Sequence, residues 1–132
     1  AWKINEYMPL HIVNTLKNFK EFKNMKIGIL GATFKKDSDD LRDSLVPKLI
    51  RYLEREVPKG IKLYEPNINS KLILGYQNLN STKIMEYSNV IIMAINHSVF
   101  SKKNFYNNIK KNTIIVDLWN TLNKDKFIFV KK

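Results

Sequence analysis

Cysteine is absent from the 132 residues. That excludes disulfides, thiolate metal sites and a cysteine nucleophile within this chain. Histidine occurs twice, as His11 and His97, far apart and without clustered carboxylates beside them, so no metal site is expected. Glycine is scarce, at four residues. Gly28 and Gly31 are spaced G-x-x-G and no third glycine follows, so the G-x-G-x-x-G dinucleotide fingerprint is missing. Close packing or a bend at a strand end is the preferred reading of this pair, ahead of direct phosphate contact. No apolar run approaches the roughly 18 residues that span a bilayer. The first residues carry no signal-peptide pattern. A cytoplasmic protein without a membrane partner is the expectation.

Acidic residues are also few: 12 Asp and Glu against 23 Lys and Arg, a formal net charge of +11. Such a field favours anionic partners, namely nucleic acid, acidic membranes or phosphorylated small molecules. The alternative is a lysine-rich surface that only solvates the fold, since the lysines are spread along the chain. Hydrophobic residues make up 44% and the mean hydropathy is −0.32, a globular composition with enough apolar material for one real core.

The apolar pattern predicts a first helix over residues 3–22, with Ile12, Val13, Leu16 and Phe19 on one face. Asn5 could cap it and place Pro9 near the first turn; an earlier start makes Pro9 internal. A strand over 26–31 follows, then a charged loop, then an amphipathic helix opened by Ser44, with Pro47 in its first turn and Leu45, Leu49 and Leu53 on one stripe. Residues 61–65 read as a second strand. Residues 68–80 read as irregular or briefly helical, and Ser81 could cap a short helix through Tyr87. Residues 90–95, Val-Ile-Ile-Met-Ala-Ile, have the continuous apolar character of a buried parallel strand. A helix over 99–111, a strand over 113–118 and a short last strand over 127–130 complete the reading. About five strands alternating with helices predict one α/β domain with a doubly wound, mostly parallel sheet and right-handed crossovers.

The loop from Ala32 to Asp43 is about twice the usual 2–6 residues for such a connection, and it lies where α/β sheets place ligands. It holds Lys35, Lys36 and Arg42 against Asp37, Asp39, Asp40 and Asp43. That balance argues for an internally paired loop offering one or two selected cations. Phe34 could stack on a base or pack in the core. Arg42 could fork onto a phosphate or carboxylate, or pair with a neighbouring aspartate. His97 and Asp117 end strands at the same sheet edge, where capping is the simpler role for His97. These scattered residues make no catalytic triad or carboxylate pair.

The stretch from Gly31 to Ser44 (GATFKKDSDDLRDS) closely resembles the motif G-x-A-F-K-x-x-T-x-D-x-R-E-S. That motif opens the C-terminal, UDP-binding domain of the UDP-glucose/GDP-mannose dehydrogenase family. Thr33, Ser38 and Asp43 replace alanine, threonine and glutamate. Ile4-Asn5-Glu6-Tyr7-Met8-Pro9 resembles the family's I-N-D-x-x-P at the end of its long central helix. Tyr64-Glu65-Pro66-Asn67 resembles Y-[DE]-P, Asn96-His97-Ser98-Val99-Phe100 resembles D-H-x-x-F, and Ile115-Val116-Asp117 resembles the final V-V-D strand. The resemblance implies a three-layer, Rossmann-like sheet over 25–132, preceded by residues 1–24 as the end of a connecting helix.

It also implies the C-terminal third of an enzyme that oxidises the sugar C6 alcohol of a UDP-sugar to a carboxylate with NAD⁺. The catalytic cysteine and the dinucleotide-binding domain would lie upstream, so this chain alone should be inactive. Carried over by position, Phe34 and Lys35 would contact the nucleotide sugar and Arg42 would reach the NAD⁺. The parent would be a homodimer or higher oligomer serving polysaccharide precursors. Pro9 and Glu65-Pro66-Asn67 resemble the UDP-N-acetylhexosamine branch, N-acetylmannosamine above all, more than the UDP-glucose branch. One position departs: where many members carry a substrate-binding arginine two residues past the last aspartate, this chain has Trp119, with Lys124 a candidate replacement. Two other readings stay open. A stand-alone basic α/β module would bind nucleic acid. A structural domain would offer an exposed apolar face on residues 8–19 to a partner.

Overall fold

The computed structural model describes residues 2–19, 21–33, 44–56, 60–119 and 127–129, without the side chains of 2–8 and 127–129. Five strands form the main sheet: β1 (Ile27–Leu30), β2 (Ile61–Tyr64), β5 (Val90–Met93), β6 (Ile114–Asp117) and β7 (Phe127–Phe129). Their spatial order is β2-β1-β5-β6-β7. The first four run parallel and β7 pairs antiparallel with β6. This is the expected doubly wound α/β sheet. The chain steps outward from β1 to β2, then crosses to the far side for β5, so the strand order reverses between β1 and β5.

The register explains the continuous apolar runs. Ile29 of β1 lies beside Leu63, Ile92 lies beside both Ile29 and Val116, and all four belong to one core. Leu30, Met93, Ile91 and Ile115 belong to the other. Alternate residues of a strand face opposite sides, so both faces are apolar and both are covered. Helices α1 (Trp2–Leu16) and α2 (Val46–Glu54) cover the first face through Ile12, Val13, Leu16, Leu49 and Leu53. Helix α3 (Ser81–Tyr87) covers the second with Ile84 and Met85, joined by Phe100 and Ile109. Three layers result.

Several expectations change. Helix α1 stops at Leu16 and runs through Pro9. Beyond it, left-handed Glu21 (φ 65°) opens a 3-10 turn at Phe22–Asn24, which buries Phe22. Ser44 acts one place early: Leu45 is the capping residue of α2, and Ser44 Oγ accepts the Val46 N–H at 3.1 Å. Residues 68–80 are not helical, and they are irregular only in part. They contain an antiparallel hairpin, β3 (Leu72–Ile73) and β4 (Tyr76–Gln77), closed by Leu74 (φ 53°) and Gly75 (φ 84°). Two positive φ angles in a two-residue loop match the twist of the flanking strands, and Gly75 takes that conformation without strain.

The predicted helix over 99–111 is two 3-10 turns, Ser98–Ser101 and Lys103–Tyr106, separated by extended Lys102 (φ −83°, ψ 129°). The break lets the Phe100 and Phe105 rings meet at 5.3 Å. The exposed apolar face expected of a structural docking domain is also not found among the described residues of α1. Ile12, Val13 and Leu16 are buried within this chain, and Leu10 is the exposed large apolar residue there.

Candidate functional site

The carboxyl ends of β1, β2 and β5 carry a buried polar cluster. Gly31 leaves β1 at φ +87°, and its N–H donates to Tyr64 O at 2.8 Å. A side chain there would press on Ile95, whose Cγ2 would lie 2.2 Å from an added Cβ. The glycine therefore serves close packing between the exits of β1 and β5, as the sequence reading preferred. Ala32 and Thr33 follow, both buried.

Glu65 leaves β2 beside them, fully buried. Its Oε1 accepts the Ala32 N–H at 2.8 Å and lies 2.9 Å from His97 Nε2. Its Oε2 accepts the Asn67 N–H at 2.8 Å. Thr33 Oγ1 stands 3.3 Å from the same His97 nitrogen. His97, just beyond β5, is 1% exposed. Burial on its own would raise the Glu65 carboxyl. The His97 hydrogen bond, the two N–H donors and the nearby imidazole outweigh it and hold the carboxyl below its ordinary 4.5.

Asn78 supports this arrangement from behind. Its Oδ1 accepts the Glu65 N–H at 2.8 Å, and its Nδ2 donates to the carbonyls of Glu65, Ile68 and Ser70. The loop from Glu65 to Asn78 is closed by one amide side chain. On the outer side, Phe100 packs against His97 at 5.5 Å and against Tyr64 at 6.1 Å between ring centres.

Asp117 ends β6 at the same edge, opposite Met93, and is buried. The Tyr106 phenol is raised by burial and then by the Asp117 carboxylate, so it stays protonated and donates to Phe100 O. Trp119 lies past β6 with its indole N–H donating to Ala94 O at 3.2 Å. It packs on the second core and braces the end of β5.

The sequence-predicted site residues Phe34, Lys35 and Arg42 lie outside the described residues, as does Lys124. What is described is the root from which their segment starts. His97 was given a capping or turn role, and Glu65 was singled out only as part of a short motif. Their pairing was invisible because they stand 32 positions apart. The available signal is positional: Glu65 directly follows β2 and His97 lies four residues past the end of β5, both beyond the carboxyl edge of the sheet. Gly31 is committed to packing against Ile95 at the β1 exit.

Among the described residues, no helix is long and apolar enough to cross a membrane. Comparison with curated proteins finds no match. The family profile described as UDP-glucose/GDP-mannose dehydrogenase family, UDP binding domain, matches residues 28–124. Among solved structures, the UDP-N-acetyl-mannosamine dehydrogenase of Staphylococcus aureus is similar with a TM-score of 0.72 and 21% identity, covering 98% of this chain and 31% of that one. A UDP-D-ManNAc dehydrogenase of Pyrococcus horikoshii is similar with a TM-score of 0.58 and 26% identity over 77% of this chain and 24% of that one. A UDP-glucose dehydrogenase of the archaeon Pyrobaculum islandicum gives 0.64 and 21% over 87% of this chain and 27% of that one. The chain spans under a third of each of these relatives.

Proposed function

Because the chain belongs to the UDP-glucose/GDP-mannose dehydrogenase family, as its UDP-binding domain, we propose that it binds the nucleotide sugar for an NAD-dependent UDP-sugar 6-dehydrogenase. One observation carries the reading: the exit of β1 is built at the carboxyl edge where strand order reverses, the place where α/β sheets take ligands. Phe34 and Lys35 contact the nucleotide sugar, and Arg42 reaches toward NAD⁺ held elsewhere in the parent. The cofactor supplies hydride acceptance when bound there. This chain's part is to hold and orient UDP.

Residues 1–24 are the end of a connecting segment, whose helix stops at Leu16, and residues 25–132 are the UDP-binding unit. The rest of the same enzyme is the principal partner, in a cytoplasmic homodimer or larger assembly that makes polysaccharide precursors. Alone the chain is inactive, since the cysteine nucleophile is not in it. A UDP-N-acetylhexosamine is preferred over UDP-glucose on the strength of Pro9 and Glu65-Pro66-Asn67.

An amide NMR titration with UDP tests the reading, with NAD⁺ and a short DNA duplex as controls. Saturable shifts with UDP, centred on residues 32–44 and weakened about tenfold by Lys35→Ala, are expected; tenfold corresponds to about 1.4 kcal/mol. Shifts with DNA and none with UDP would overturn it in favour of a nucleic-acid module, a reading that otherwise has only the +11 charge behind it.

A further inference from the structure

Phe34 and Lys35 follow Thr33 directly in sequence, so whatever fixes Ala32 and Thr33 fixes where that segment begins. Two side chains from other strand ends do so. Glu65 Oε1 receives both the Ala32 N–H and the His97 ring, and Thr33 Oγ1 stands against the same ring nitrogen. An ionised carboxylate only accepts, so the network assigns the proton to His97 Nε2, which donates it to Glu65. That nitrogen then has no lone pair, and Thr33 Oγ1 can only share in accepting its proton. The exits of β1, β2 and β5 are thus tied together at one oxygen atom, out of reach of water.

We propose that Glu65 is a positioning residue for nucleotide binding: through His97, Ala32 and Thr33 it sets the direction in which the segment after β1 leaves the sheet, and thereby the affinity for a nucleoside diphosphate. The inference rests on the UDP-binding reading above. Glu65 acts through the backbone it holds. Its two oxygens serve three donors, two on Oε1 and one on Oε2. A glutamine has one acceptor oxygen, so in Glu65→Gln an NH₂ group must face at least one N–H, whichever way the amide turns.

The experiment is UDP titration of four forms of the full 132-residue chain, all below their unfolding transitions, followed by amide NMR. Glu65→Gln is expected to weaken UDP about tenfold, to move the Ala32 amide proton upfield and to speed its exchange. Thr33→Val, which removes only the hydroxyl, is expected to weaken UDP about threefold. Ile109→Ala serves as a control, because it opens the second core, to which Ala32, Thr33 and Glu65 do not belong, and should lower stability while keeping wild-type affinity. Folded Glu65→Gln binding UDP within twofold of wild type would overturn the proposal and leave the UDP reading intact. So would an Ile109→Ala control that loses as much affinity, since stability alone would then account for the effect. If Glu65→Gln does not fold, Thr33→Val decides by the same criterion. A wild-type chain that ignores UDP overturns the underlying reading and this inference with it.

Discussion

Glu65 carries its charge where water cannot reach it, and its hydrogen bonds make that tolerable. Removing one partner from such a buried pair typically costs about 3 kcal/mol. The folded carboxyl sits below its ordinary 4.5. A depressed carboxylate stabilises the fold above its unfolded value, and the contribution is lost as pH falls through the folded value. The stability gap between wild type and Glu65→Gln should therefore shrink as pH falls below about 4.5, as read from urea unfolding at each pH. A gap that stays constant down to pH 3 would mean the carboxylate gains nothing from its partners. Gly31 makes a second prediction at this scale. Its φ of +87° and the nearness of Ile95 mean that Gly31→Ala should destabilise by about 2 kcal/mol or more, measurable as a lower denaturation midpoint.

At the scale of elements, the hairpin β3–β4 is the least economical piece. Leu74 holds a left-handed conformation with its side chain 46% exposed. Leu74→Asn should stabilise the chain by about 0.5–1 kcal/mol, since asparagine followed by glycine suits both positive φ angles. A thermal melt that moves by nothing, or downward, would refute this. The hairpin also shows why part of the fold was hidden in the sequence. A leucine at a turn position gives no turn signal, and strands of two residues are too short for a period to appear. The main sheet was legible for the opposite reason. Val90-Ile91-Ile92-Met93 and Ile114-Ile115-Val116 are apolar on both faces, and only a strand covered twice requires that. The 3-10 turns after β5 were misread as a helix because Val99, Phe100, Phe105 and Tyr106 supply apolar content without helical spacing. Of the site, the loop root could be placed from sequence and the Glu65–His97 contact could not, because it depends on which strands become neighbours.

At the scale of the molecule, α1 is part of the core. Leu16 is wholly buried, whereas Leu10, a turn and a half earlier, is 43% exposed. Leu16→Ala should cost about 3 kcal/mol, and Leu10→Ala less than about 0.5 kcal/mol. Equal effects in chemical denaturation would show that α1 contributes no specific packing.

The central place of β1 has a consequence for a chain made from its amino end. β1 pairs with β2 on one side and with β5 on the other. The second neighbour begins at Val90, sixty residues after Leu30 closes β1. At about 5–20 residues per second, that is roughly 3–12 s of translation. Throughout this time Ile27, Ile29 and Leu30 wait on the nascent chain with one edge unpaired, which is the interval in which a ribosome-bound chaperone has something to hold.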